Sequence, residues 1–131
     1  MTAIRTILIV DDEEIVRELL ADMLSDTDMQ AVTAESGLVA LDMYRKPEAH
    51  FDLVVVDMSM PGMDGPAVSR EIRKLNPSQK IIIATGSYGT DAELAELKKI
   101  GIADIMRKPF TMEEMLSVFE RVMSEEGRCQ A

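Results

Sequence analysis

Short runs of aliphatic, mostly β-branched residues recur five times along this chain, and a longer amphipathic stretch follows each one. They are Ile7-Leu8-Ile9-Val10, a more polar segment over 29–33, Leu53-Val54-Val55-Val56, Ile81-Ile82-Ile83-Ala84 and a last short one over 103–106. Uninterrupted aliphatic runs of this length read as strands covered on both faces, because a half-exposed strand would alternate. The polar segment suits an edge strand. The intervening stretches carry helical signals. Val16, Leu19, Leu20, Met23 and Leu24 fall on one predicted helix face, and 38–44 form a second helix that ends near Pro47. Pro66 sits in the first turn of a third, where proline is tolerated, and Asn76-Pro77 closes it. Thr90-Asp91-Ala92-Glu93 and Thr111-Met112-Glu113-Glu114 are capping boxes for two more helices. The first of these ends at Gly101 and the second runs to about Gly127.

Five β units alternating with five α units predict a parallel sheet with helices on both faces. Right-handed crossovers leave the flavodoxin-like (βα)5 arrangement, strand order 2-1-3-4-5, as the natural solution. The 131 residues suit one domain, expected over 1–131 with its core at about 5–124. With aromatics at 4% and no Trp, aliphatics and the 11 Met must fill the interior. A formal net charge of −10 argues against direct nucleic acid binding and against an anionic membrane surface. The single Cys129 cannot close an internal disulfide, and no apolar run reaches a bilayer's span. These features together predict a cytoplasmic protein.

Ligands in such sheets bind beyond the carboxyl ends of the strands, where the order reverses between strands 1 and 3. The first run leads into Asp11-Asp12 and the third into Asp57, so three carboxylates should converge there. Like charges so close repel and raise one another's pKa, and a hard divalent cation such as Mg²⁺ removes the conflict. In isolation Asp11-Asp12 would read as caps of the next helix. Asp57, following four buried residues, favours a site instead. The fourth run ends in Thr85 and the fifth in Lys108-Pro109, which adds a hydroxyl and an ammonium to the same crevice. Three acids, a hydroxyl and a cation describe a phosphoryl site: a carboxylate attacks, while cations and a hydroxyl neutralise oxygens.

The segments I-L-I-V-D-D-E, L-V-V-V-D-M-S-M-P-G-M-D-G, I-I-I-A-T-G and M-R-K-P-F, in this order, resemble the receiver domains of two-component response regulators. The likeness covers roughly residues 5–124. It implies that Asp57 is the phosphoacceptor, Asp12 a direct metal ligand and Asp11 a ligand acting largely through water. It also implies the Met58 backbone carbonyl in the metal shell, Thr85 as the switch hydroxyl and Lys108 as the lysine that follows the phosphoryl group. A cis Lys108-Pro109 bond belongs to the same pattern. The implied partners are a histidine kinase or phosphotransfer protein and a downstream protein or attached output domain, with room for a phosphorylation-dependent dimer.

Some positions depart from that pattern or say less. Ile105 stands where many receivers carry Tyr or Phe, so an aromatic switch is not expected; Tyr88 reads as a solvated loop residue rather than its substitute. Ser59 and Ser87 match positions that tune phosphoryl lifetime. His50 lacks metal-spaced partners and reads as a surface residue. A haloacid dehalogenase-type phosphatase would carry a second Asp where Ser59 stands, and would need room for a cap. A non-phosphorylated receiver-like module would have lost an acid, the hydroxyl or the lysine, yet all are present. Residue patterns alone do not separate a stand-alone regulator from a receiver cut out of a hybrid kinase or longer regulator.

Overall fold

The computed structural model describes residues 4–87 and 89–124, so Tyr88, Cys129 and the expected helix end at Gly127 lie outside the described residues. The chain alternates β1 (Arg5–Val10), α1 (Glu14–Leu24), β2 (Met29–Ala34), α2 (Gly37–Tyr44), β3 (Leu53–Asp57), α3 (Gly65–Leu75), β4 (Ile81–Thr85), α4 (Asp91–Ile100), β5 (Asp104–Arg107) and α5 (Met112–Ser124). The strands form one parallel sheet in the order β2-β1-β3-β4-β5, the order that the alternation predicts.

Successive side chains in each central strand enter opposite cores. Leu8, Val10, Val54, Val56, Ile81 and Ile83 pack with α2, α3 and α4. Ile7, Ile9, Leu53, Val55, Ile82 and Ala84 pack with α1 and α5, around the fully buried Phe119. The aliphatic runs are therefore continuous because neither face meets water. Edge strand β2 has mixed burial, as its polar residues suggest.

The helix signals also resolve into local geometry. Thr90 and Glu93 form the reciprocal capping box of α4, which ends at Gly101 in the left-handed region, φ 91°. Thr111 and Glu114 exchange side-chain and backbone hydrogen bonds of 2.8 and 3.0 Å at the start of α5. On α1 one expectation fails: Leu19 is 51% exposed. Val16, Leu20, Met23 and Leu24 make the inward stripe, and Leu19, one residue off Leu20, lies at its edge.

Arg73 ties α3 to the end of α4 through the Ile100 and Gly101 carbonyls, and Lys80 reaches the Val122 carbonyl of α5 at 2.8 Å. Both contacts lie away from the strands' carboxyl ends. The sheet and its helices are thus braced below, while the loops above are left to carry chemistry.

Candidate functional site

β1 delivers Asp11 and Asp12 directly from its last residue, Val10, and β3 ends on Asp57 itself. Because β1 and β3 are hydrogen-bonded neighbours, carboxylate oxygens of Asp11, Asp12 and Asp57 come within 4.8 Å of one another. Asp11 is 2% and Asp57 8% exposed, whereas Asp12 faces solvent. Lys108, just past β5, brings its Nζ to 2.8 Å from Asp57 Oδ1 and 3.1 Å from Asp11 Oδ2. The Lys108-Pro109 peptide is cis.

One ammonium against three carboxylates leaves the cluster short of positive charge. Burial pushes the Asp57 carboxyl above its ordinary value; the hydrogen bond and charge of Lys108 oppose this, and Asp11 and Asp12 add to it. Lys108 is raised as well: burial works against its charge, but the hydrogen bonds to Asp57 and Asp11 outweigh it. Buried carboxylates with unshared lone pairs and an open side toward solvent fit a hard divalent cation. Asp11 Oδ1 also accepts the Glu13 N–H at 2.9 Å, just before α1, whose N-cap residue is Glu13 and which has no side-chain cap hydrogen bond.

Thr85 closes β4 at the same end of the sheet, but its hydroxyl is engaged elsewhere. It donates to the Ser87 carbonyl at 3.0 Å and accepts the Ser87 N–H at 3.3 Å. Thr85, Ser59 and Ser87 line an open cleft of about 530 Å³ alongside Met58, Met60 and Glu93. Ile105 packs against the core on the α4 side of the sheet. His50 is exposed, as expected, with Nε2 3.3 Å from Asp52.

In the loop after Asp57, the Met58 carbonyl, expected in the metal shell, accepts the Gly65 N–H at 3.0 Å. That hydrogen bond uses one of the two lone pairs of the carbonyl oxygen. Gly65 is glycine for a steric reason: a Cβ there would lie 2.6 Å from the Asp57 carbonyl oxygen and 3.0 Å from Met58 Cα. Gly65→Ala should therefore push this loop away from the site and lower stability by about 1–3 kcal/mol, measured by urea unfolding. Wild-type stability would show that the approach is not required.

A family model for the response regulator receiver domain matches residues 7–120. Sporulation initiation phosphotransferase F of Bacillus subtilis is 33% identical over 117 residues, covering 89% of this chain and 92% of that protein. The regulatory protein AtoC of Escherichia coli is 32% identical; the match takes in 94% of this chain but 26% of AtoC. The structure of Vibrio cholerae chemotaxis protein CheY4 superposes with a TM-score of 0.85 at 28% identity, covering 92% of this chain and 99% of that one. Sheet order, acid cluster, lysine and whole-length likeness agree, and this chain belongs to the response regulator receiver domain family of two-component signalling.

Proposed function

We propose that the chain, as one receiver unit, takes a phosphoryl group onto Asp57 in a Mg²⁺-dependent reaction and signals through the surface of α4, β5 and α5. The observation that carries this reading is the meeting of three carboxylates with Lys108 at the ends of β1, β3 and β5. In the reaction an Asp57 oxygen attacks phosphorus, the bond from phosphorus to the donor nitrogen breaks, and the donor imidazole keeps the electron pair. Lys108 passes from the carboxylate to a phosphoryl oxygen, and the Thr85 hydroxyl gives up Ser87 to donate to another. Bound Mg²⁺ would neutralise charge between the carboxylates and the phosphoryl oxygens. Asp11, Asp12 and Asp57 would hold it.

The donor is a histidine kinase or a phosphotransfer protein. The receiver of the signal is a downstream protein or an attached output domain, through a surface that also allows dimerisation on phosphorylation. Relatives named as a sensor kinase and a regulatory protein, of which the match covers 13% and 26%, support both kinds of partner. The chain accelerates only its own phosphorylation and dephosphorylation and works in the cytoplasm without touching nucleic acid. Incubation with Mg²⁺ and acetyl phosphate should attach one hydroxylamine-labile phosphoryl group per chain. No incorporation from acetyl phosphate or any phosphohistidine donor would end the proposal.

The metal itself is testable by titration. Asp12→Ala should weaken Mg²⁺ binding by more than about tenfold, because a carboxylate ligand is lost. Since the Asp57 carboxyl is raised from 3.8, protons should compete with the metal at a pH where an ordinary aspartate is still ionised. Mg²⁺ affinity should fall as pH drops through that raised value. Equal phosphorylation in excess chelator would refute the metal's role.

A further inference from the structure

Asp11 is held at every polar atom. Its N–H donates to the Ala34 carbonyl at 3.1 Å, Oδ1 accepts from the Glu13 N–H and Oδ2 from Lys108. The remaining atom, its backbone carbonyl oxygen, accepts a hydrogen bond from Arg17 Nη1 at 2.8 Å. Arg17 stands on α1, half-buried, one turn beyond Glu13, whose carbonyl accepts the Arg17 N–H at 3.1 Å.

The Asp11 carbonyl belongs to the peptide plane that joins Asp11 to Asp12. That plane is rigid, so turning it turns the direction in which Asp12 leaves the backbone. Asp12 is solvent-exposed and not packed in place as Asp11 is. Within its side-chain rotamers, the reach of its carboxylate is set by the backbone behind it. We propose that Arg17 is a positioning residue: by clamping the Asp11–Asp12 peptide, it aims the Asp12 carboxylate at the cation site. This rests on the metal-dependent reading above.

Charge and position predict opposite signs here. A guanidinium beside a cation site repels the cation, so on charge alone its removal should tighten Mg²⁺ binding. If Arg17 positions Asp12, removal should weaken binding, as loss of groups that orient metal ligands does. Arg17→Met keeps the aliphatic stem against the helix and removes both the charge and the donors. Arg17→Lys keeps the charge and one donor on a similar stem, without the planar fork.

The test is Mg²⁺ titration of the full chain by calorimetry and amide shifts, beside phosphorylation rates over a Mg²⁺ series. Arg17→Met should bind Mg²⁺ about tenfold more weakly, move the metal-free Asp12 amide resonance, and approach the parent's rate at saturating Mg²⁺. Arg17→Lys should lie between the two. Should Arg17→Met fold poorly, the Arg17→Lys titration and its Asp12 resonance carry the comparison. Mg²⁺ binding by Arg17→Met as tight as the parent's, or tighter, overturns the proposal. So does an Asp12 resonance unmoved in both variants. Failure of the parent chain to become phosphorylated on Asp57 would instead strike the function above.

Discussion

Asp57→Asn should accept no phosphoryl group, yet fold at least as stably as the parent chain. The first half follows from chemistry: an amide oxygen carries no charge and is a poor nucleophile. Acetyl phosphate with Mg²⁺ should label the parent once and this variant not at all; full labelling would move the acceptor to another residue. The second half follows from the site's charge. The Asp57 carboxyl is raised from 3.8 chiefly by burial, with Lys108 opposing and Asp11 and Asp12 adding to the rise. A group raised in the fold contributes stability that is fully present below its unfolded pKa. That contribution is lost as pH rises through the folded value. At pH 7 the ionised carboxylate is therefore a cost to the fold, which the amide removes. Urea unfolding in chelator should show a gain at neutral pH, vanishing below about pH 3.8, where the parent's carboxyl is protonated. A loss of stability at pH 7 would mean that the Lys108 ion pair outweighs the repulsion.

Thr85→Ala should leave Asp57 chemically competent and disconnect it from the output surface. In the unphosphorylated chain the Thr85 hydroxyl is occupied by both backbone groups of Ser87. Bonding to a phosphoryl oxygen means releasing them, which frees the loop that leads to the Thr90 cap of α4. On the proposed function, Lys108 should likewise draw the end of β5 with it when it exchanges carboxylates for phosphoryl oxygens. An apolar cleft of about 240 Å³, whose lining includes Thr85, Leu94, Leu97 and Ile105, lies between α4 and β5. Its wall residue Ile105 is already packed against the core, so little should depend on its turning inward. Coupling of this kind is a shift between states, typically ~1–3 kcal/mol. We expect Thr85→Ala to remove most of it and Ile105→Val to leave it nearly intact. Amide shifts with and without a beryllofluoride mimic measure this. In the parent, changes confined to the surroundings of Asp57, with none over 90–119, would refute the output surface.

The β-branched runs, proline positions and capping boxes made the layer architecture and strand order readable, because burial on both faces and right-handed crossovers allow few arrangements. The same order put Asp11, Asp12 and Asp57 at one switch point, so the acid cluster was legible before any coordinate. Identity at a strand end, however, says where a side chain starts and not where its atoms go. Thr85 was expected to face the acids, but rotation about one bond lets its hydroxyl serve Ser87. Nothing in the sequence marked the Gly65 N–H as a hydrogen-bond partner of the Met58 carbonyl. Leu19 fits a helical stripe in sequence and misses it in space by a fraction of a turn. No sequence signal marked Arg17, whose guanidinium only the fold sets on the Asp11 carbonyl. Periodicity and spacing determined which elements form and which ends of strands meet. Hydrogen-bond partnership among loops is a competition between groups brought together only by folding, and the tertiary structure alone decided it.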